Sequence, residues 1–331
     1  MKILGIESSC DETSIAVVEK NEVLSNIVSS QLLHQEYGGV VPEFASREHM
    51  KNINKVMKQA LQKAEVEIND IEAIAATKGP GLMGALLVGL SYAKGLSLST
   101  GKPLLGVNHI EGHLMANFLD YENLTYPLLC LLISGGHTMI IKVEDFGEYE
   151  VLGSSVDDAA GEAFDKGGKI LHLQYPAGPV IDKLSSEADR EFHKFPRSNV
   201  KDSEFDYSFS GLKTSLYYLV KKKGREWAEE NLNDLCASYQ EAIIDTLQGN
   251  FFRAAEESEI KNLVIAGGVA ANTRLRNVFE RRAQKEGYDI YFPSLAYCTD
   301  NAAMIARAGL ENYRRDDVSP LTVDVDPNLK L

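Results

Sequence analysis

The chain is built twice. Ile3 to Val28 reads as an apolar run, a polar turn at Ser8 to Thr13, a second run at Ile15 to Val18, a turn at Lys20 to Glu22 and a third run at Val23 to Val28. Leu128 to Leu152 repeats the plan, with runs at Leu128 to Ile133, Met139 to Val143 and Tyr149 to Leu152 around turns at Ser134 to Thr138 and Glu144 to Gly147. Short apolar runs joined by tight polar turns predict three-stranded meanders. The copies stand 126 positions apart, counted from Ser8 to Ser134. Each is followed by mainly helical sequence and then by a strand, a glycine turn, a helix and a strand. In the first half these are Ile71 to Ala76, Gly79 to Gly84, an apolar helix to about Ser99 with Gly101 as its C′ residue, and Leu104 to Val107. In the second they are Leu263 to Ala266, Gly267 and Gly268, an Arg-rich helix from about Asn272, and Ile290 to Phe292. This alternation predicts an α/β architecture with mixed sheets and duplicated halves facing each other.

At 331 residues the chain exceeds the roughly 250 to 300 at which single cores stop growing, so two domains sharing a cleft are expected. A 44% hydrophobic and 25% charged composition excludes disorder and fibres. The net charge of −14 argues against broad nonspecific binding to a phosphate backbone. No apolar stretch approaches the roughly 20 residues a bilayer demands, and Met1 to Glu7 lacks the features of a signal peptide, so a cytoplasmic protein without a membrane span is expected. Cys10, Cys130, Cys236 and Cys298 form no C-x-x-C pair and read as reduced thiols.

Two long helices carry core stripes. One opens at Pro42 with Met50, Ile53, Met57, Leu61 and Ala64 inward, and the other spans about Asn233 to Glu257 with Leu235, Tyr239, Ile243, Leu247 and Phe251 inward.

Several short motifs carry possible chemistry. His109 and His113, in H-I-E-G-H after a strand, lie about 40° apart if helical and can share a metal ion, or can simply bond to backbone at a helix start. A zinc protease places its glutamate directly after the first histidine; Glu111 comes two positions after His109, about 200° round, so that reading is disfavoured. Ser134-Gly135-Gly136 in the second meander is either a phosphate nest or a hairpin needing positive φ. The matching first turn holds Asp11 and Glu12, which repel phosphate unless a cation intervenes. Gly79, Gly81 and Gly84 imitate a dinucleotide fingerprint, but the following strand ends in Asn108 and His109 instead of an acid. The small residues from Gly267 and Gly268 to Ala271 let a base or ribose approach backbone. Asn272 is a helix cap or a ligand contact, and Asp300 is a cap or a metal ligand.

In order along the chain stand G-I-E-S-S-C-D-E-T at Gly5 to Thr13, G-G-V-V-P-E at Gly38 to Glu43, K-G-P-G-L at Lys78 to Leu82 and N-H-I-E-G-H at Asn108 to His113. S-G-G-H-T at Ser134 to Thr138, D-D-A-A-G-E-A-F-D-K at Asp157 to Lys166, Y-S-F-S-G-L-K at Tyr207 to Lys213 and G-G-V-A-A-N at Gly267 to Asn272 follow. End to end, this series resembles the TsaD family, the catalytic subunit of bacterial tRNA threonylcarbamoyladenosine synthase. The resemblance implies an actin-like ATPase fold of the sugar kinase and actin type, two lobes with a nucleotide cleft between them. The first lobe would be 1–124 completed by 302–331, and the second 125–301 with a helical insertion at about 180–255. It implies a metal site of His109, His113 and Asp300 holding Fe2+ or Zn2+. Ligand contacts would fall on Leu132, Ile133, Ser134, Gly135 and Gly136, on Asp165, Gly178 and Asp182, and on Asn272, with the two aspartates accepting from ribose hydroxyls.

The implied reaction moves threonylcarbamoyl from threonylcarbamoyl-AMP to the exocyclic amine of the adenosine 3′ of the anticodon, in tRNAs reading codons that begin with adenine. Implied partners are a TsaB-type inactive actin-like subunit, a TsaE-type ATPase subunit and an enzyme that makes the adenylate. Asp11 and Glu12 are candidates for taking the amine proton or orienting the donor. For tRNA, Lys221, Lys222, Lys223 and Arg225 form one candidate surface, and Arg274, Arg276, Arg281 and Arg282 another; each also reads as a solvated helix face. An actin-fold kinase and a nucleotide-binding scaffold are the alternatives. The side chains crowding the first turn weigh against the kinase, and a convergent metal set would weigh against the scaffold.

Overall fold

A computed structural model describes every residue except Leu32, Ser198, Asn199 and Asp202, and every side chain of the described residues except Gln35 and Glu36. Its contacts divide the chain into unit 1, Met1–Leu124 with Pro293–Leu331, and unit 2, Thr125–Phe292.

Unit 1 contains β1 (Lys2–Glu7), β2 (Glu12–Glu19), β3 (Glu22–Ser30), α1 (His34–Tyr37), α2 (Pro42–Ala64), β4 (Ala73–Gly79), α3 (Met83–Thr100), β5 (Leu104–Asn108), α4 (His109–Met115) and α5 (Asn117–Asp120). Unit 2 runs through β6 (Leu128–Ile133), β7 (Thr138–Asp145), β8 (Glu148–Ser154), α6 (Ala160–Ile170), α7 (Ala177–Leu184), α8 (Ser210–Lys223), α9 (Arg225–Glu230), α10 (Leu232–Ser258), β9 (Asn262–Ala266), α11 (Thr273–Glu286) and β10 (Asp289–Tyr291). The chain then re-enters unit 1 as α12 (Leu295–Cys298) and α13 (Ala302–Arg314).

The two sheets have one topology. Unit 1 orders its strands β3-β2-β1-β4-β5 and unit 2 orders them β10-β9-β6-β7-β8. In each, an antiparallel meander supplies three strands, and two parallel strands extend the sheet from the meander's first strand. The duplicated pattern of runs and turns is therefore a duplicated sheet.

The two faces of β1 set up the chemistry of unit 1. Side chains alternate along a strand. Leu4 and Ile6 point into a core cluster with Ile53, Val56, Met57 and Ala60 of α2 and with Leu90 and Ala93 of α3. Gly5 therefore faces the other way, where α13 lies so close that an added Cβ would run into the Ala302 carbonyl oxygen. Gly309 of the same helix meets Ala75 of β4 in the same manner. Small residues let the helix backbone rest directly on the strands, and the next residue on this face of β1 is Glu7.

Three expectations shift, and a fourth is explained. The first polar turn is shorter than Ser8 to Thr13, because Glu12 and Thr13 already pair with Ser30 and Ser29 in the β2–β3 ladder. The buried face of α2 is Ala45, His49, Ile53, Val56, Met57 and Ala60, and Met50 is 67% exposed. His49 displaces Met50 from the interior because both its ring nitrogens are hydrogen-bonded, Nδ1 with Thr13 Oγ1 at 2.8 Å and Nε2 with the Cys10 carbonyl at 2.9 Å. The return to unit 1 comes at Pro293 instead of 302: the Ser294 amide donates to Asp120 Oδ2 at 2.7 Å, which ties α12 to the end of α5. The glycines of the 79–84 turn pack against protein, since a Cβ at Gly79 would strike the Asp326 carbonyl and one at Gly81 the Ser9 carbonyl. Close packing of backbone, not approach to a phosphate, explains them.

No helix among the described residues is long and apolar enough to cross a membrane.

Candidate metal centre and nucleotide-binding loops

His109 and His113 stand on the first turns of α4. Asn108 ends β5 and caps that helix, its Oδ1 accepting from the Ile110 amide at 2.8 Å. One turn of helix brings the two rings together, with centroids 4.7 Å apart. Asp300 arrives from the junction of α12 and α13. The N-cap of α13 is Asn301, whose Oδ1 accepts from the Met304 amide at 3.1 Å. Asp300 is thus not the cap, and its carboxylate is directed at the imidazoles, with Oδ1 3.0 Å from His113 Nε2 and 3.5 Å from His109 Nε2. The three ligand atoms lie within 4.8 Å of one another.

A residue that pattern reading passed over organises this set. Glu7 is fully buried at the end of β1; its Oε2 lies 3.1 Å from His109 Nδ1 and accepts from Thr77 Oγ1 at 2.7 Å, while Oε1 accepts from the Ser9 amide. Ser9 Oγ stands 3.2 Å from the same imidazole nitrogen. A carboxylate on Nδ1 holds the ring with Nε2 turned toward Asp300, which is how metal-binding histidines are oriented. Burial opposes a charged imidazole, yet the Asp300 and Glu7 carboxylates outweigh it and raise the His109 pKa to about 9. Burial likewise opposes ionisation of Glu7, but the charge and hydrogen bond of His109 hold that carboxyl below its usual range. Positive charge is favoured at this spot. Two imidazoles and one carboxylate suit a borderline divalent ion such as iron or zinc, so the residues fit the group.

Glu12, at the first position of β2, is held well above the usual carboxylate range, mainly by burial and further by the charges of Asp300 and Asp11. Burial pushes the Cys10 thiol far up as well, which makes it a poor nucleophile. Glu7 and His49 had one signal in the chain, a lone polar residue inside an otherwise apolar period. Their partners had none.

In unit 2 the remaining candidates gather at the carboxyl ends of β6 and β9, where open α/β sheets bind ligands. Leu132 and Ile133 are fully buried at the end of β6. The β6–β7 turn is closed by the Ser134 amide donating to the His137 carbonyl at 2.8 Å and the His137 amide donating to Ser134 Oγ at 3.0 Å. Gly135 and Gly136 do not have positive φ, and a Cβ on either would meet nothing within 4 Å. Neither hairpin geometry nor packing asks for glycine here. Gly267 differs: its φ is 88° and a Cβ would press on the Ile133 carbonyl, so it is required by the turn from β9 into the 3-10 segment Gly268–Ala271.

Asn272 turns out to be the N-cap of α11, accepting from the Leu275 amide at 2.8 Å, with its Nδ2 donating to Gln240 Oε1 at 2.6 Å. Both ends of its amide are engaged. Asp182 of α7 accepts from the amides of Thr273 at 2.9 Å and Arg274 at 3.4 Å, and Asp165 of α6 accepts from the Ala177 amide at 2.7 Å next to Gly178. Burial raises the Asp165 pKa despite those backbone donors. The two aspartates therefore pin α7 and α11 at one end of the sheet and keep further lone pairs for a ligand.

Residues 22–307 match the family model described as TsaD: tRNA N6-adenosine threonylcarbamoyltransferase. A relative from Clostridium botulinum (strain 657 / Type Ba4), named tRNA N6-adenosine threonylcarbamoyltransferase, is 50% identical over 333 residues, covering 100% of this chain and 98% of that one. Among solved structures, the Acidaminococcus fermentans (R)-2-hydroxyglutaryl-CoA dehydratase component A superposes with a TM-score of 0.59 at 16% identity, over 96% of this chain and 99% of that one. Full-length HypF in a phosphate- and nucleotide-bound form superposes with a TM-score of 0.62 at 14% identity, over 94% of this chain and 55% of its own. At such identities these structures speak to the fold, which is that of the actin-like ATPases.

Proposed function

This chain belongs to the tRNA N6-adenosine threonylcarbamoyltransferase family and is a transferase acting on tRNA, and from that premise we propose that its donor is threonylcarbamoyl-AMP and that the two units divide the work. Unit 2 binds the AMP part. The Ser134-Gly135-Gly136 turn meets the phosphate through backbone N–H groups, and Asp165 and Asp182 accept from the ribose hydroxyls beside Gly178. Gly267 sets the turn and Gly268 leaves room for the nucleoside, and Asn272 acts by holding α11 in place. Unit 1 supplies His109, His113 and Asp300. Fe2+ or Zn2+ bound by that set supplies Lewis-acid polarisation of a phosphate or carbonyl oxygen.

In the reaction the adenosine amine attacks the carbamoyl carbonyl carbon. The new C–N bond replaces the C–O bond to AMP, AMP leaves with the bonding pair, and the amine proton passes to a carboxylate. Asp11, in the turn before β2, or Glu12, the first residue of β2, takes it. Most of the rate enhancement in such a transfer comes from holding the reactants in line and from fixed charges aimed at the developing oxyanion. A TsaB-type subunit, a TsaE-type ATPase and an adenylate-forming enzyme complete the system. The observation that best supports metal-assisted transfer over a nucleotide-binding scaffold is the convergence of three donor atoms within 4.8 Å, with Glu7 orienting one of them.

The direct test supplies synthetic threonylcarbamoyl-AMP, unmodified tRNA and the partner subunits, and reads the modified nucleoside by mass spectrometry. Product with a nucleoside triphosphate alone, in the absence of the adenylate, would replace this donor with another. In the same assay Asp11→Ala or Glu12→Ala is expected to lower kcat by about 10² to 10⁴, the range of general acid–base catalysis. Unchanged turnover in both, with tRNA binding intact, removes the carboxylates from the mechanism.

The phosphate turn has its own test. Gly136→Val meets open space at an ordinary φ, so the melting temperature of the free protein should stay put, while affinity for AMP measured by calorimetry should fall at least about tenfold. Undiminished AMP binding would move the phosphate elsewhere.

A further inference from the structure

A chain carrying a net charge of −14 has to bind a polyanionic tRNA, so the productive surface must be local and must oppose the overall field. Of the two candidate basic clusters, the one on α11 is largely engaged already, since three of its four arginines, all but Arg281, hold other groups of the protein. Arg274 makes a two-pronged contact with Glu241 at 2.6 and 2.9 Å, Arg276 donates to the Ala270 carbonyl at 2.7 Å with its guanidinium over Phe292, and Arg282 is shared between Glu286 and the Gln248 carbonyl. These guanidiniums hold unit 2 together.

The cluster on α8 is different. Leu212 and Leu216 bury one side of that helix, and the opposite side presents Tyr217, Tyr218, Lys221 and Lys222. Tyr217 is 49% exposed and Tyr218 62% exposed, with ring centroids 5.5 Å apart. Among the described residues the ammonium groups of Lys221, Lys222 and Lys223 enter no ion pair. Lys221 Nζ instead lies 5.8 Å from the centre of the Tyr217 ring, and Lys223 Nζ lies 5.3 Å from that of Trp227. Arg225 and Glu229 neutralise each other at 2.7 Å. The helix beneath is firmly seated: Asp157 accepts from Ser208 Oγ and from the amides of Phe209 and Ser210 at its start, and Lys213 reaches Asp158 at 3.3 Å.

We infer that the outward face of α8, Tyr217, Tyr218, Lys221 and Lys222, together with Lys223 at its C-terminal end, docks tRNA, with the tyrosine rings stacking on unpaired bases and the lysines meeting the flanking phosphates. Adjacent exposed aromatics with unpaired cations beside them are the means by which proteins grip single-stranded nucleic acid. The target adenosine sits beside the anticodon, in a loop whose bases can splay outward, which suits a stacking platform better than a duplex does. A partner protein would also cover apolar rings, but it would not explain three lysines left without carboxylates. This inference rests on the tRNA-modifying reading above and adds the surface that reading lacks.

The test measures binding of fluorescein-labelled unmodified tRNA by anisotropy across a salt series, and the KM for tRNA in the reconstituted transfer assay. Lys221→Gln/Lys222→Gln/Lys223→Gln should weaken binding more than tenfold and lower the salt slope by roughly 2 to 3, one increment per lost phosphate contact. Tyr217→Ser/Tyr218→Ser should weaken it about tenfold while leaving the salt slope unchanged, because stacking releases no counterions. The KM should rise in parallel, and melting temperatures should match the parent because all five side chains are exposed. A parent protein that yields modified nucleoside, together with variants whose affinity, slope and KM are unaltered, overturns the docking surface and leaves the transferase intact. Variants that keep tRNA but lose a partner subunit overturn it in favour of a protein contact. A parent that makes no product at all strikes the transferase reading instead.

Discussion

His113→Ala and Asp300→Ala proteins are each expected to come off purification without stoichiometric metal and to show transferase output at least about 10³-fold below the parent. Both side chains meet at one point, 3.0 Å apart, and His113 is buried, so no neighbour can take over its role. An ion acting on developing charge contributes several kcal/mol to the transition state, and each 1.4 kcal/mol is a factor of ten. Glu7→Gln grades the effect. The amide keeps the shape but removes the charge that holds His109 Nδ1–H, so metal affinity should fall by about 10 to 100-fold while the parent level of activity returns at high metal. Elemental analysis alongside the transfer assay separates the cases. Full metal occupancy in the His113→Ala protein, or equal affinity in the parent and Glu7→Gln, would dissolve the centre described here.

Gly5→Ala should destabilise unit 1 by about 3 kcal/mol, the upper end of the usual penalty for forcing atoms into a packed interior. The obstacle is backbone: an added methyl meets the carbonyl of Ala302 and the Ala306 amide at 2.8 Å, and a helix cannot yield there without leaving the sheet. Because Asp300 sits two residues before Ala302, the same displacement should pull the carboxylate off the histidines and cut metal affinity. Gly249→Ala provides the opposite control. It lies within α10 with nothing within 4 Å of the new methyl, so a gain of about 0.5 to 1 kcal/mol is expected from helix propensity. Denaturant midpoints of the two variants should move in opposite directions. If Gly5→Ala matched the parent, the close approach of α13 to β1 would be wrong.

Much of unit 2's interior was legible beforehand because a single period produced it. Leu235, Tyr239, Ile243, Leu247 and Phe251 recur at helical spacing, and all five are fully buried on α10. The same rule misplaced α2, where Met50 looks outward and His49 inward. Hydropathy alone favours methionine for the interior, but a histidine with both nitrogens satisfied loses little on burial. At the metal centre the two histidines were legible as a pair, since i and i+4 share a helix face. Asp300 was ambiguous between cap and ligand, and Asn301 removes the first reading by occupying the cap position. Glu7 gave no sign of its role: its partners Thr77 and His109 lie 70 and 102 residues away.

Taken by itself, the amino-acid order determined whatever depends on neighbours within about one helical turn or one strand: two meanders, their repeat, the cap at Gly101, and the histidine spacing. It also carried the family motifs. Only tertiary structure decided which polar residues became interior, which aspartate was aimed at the histidines, which of two basic clusters was largely engaged by other groups of the protein, and which glycines the fold required and which it left unexplained. The reason is physical. Hydrogen-bond and charge partners outweigh intrinsic polarity once water is excluded, and those partners come from distant segments that no local pattern brings together.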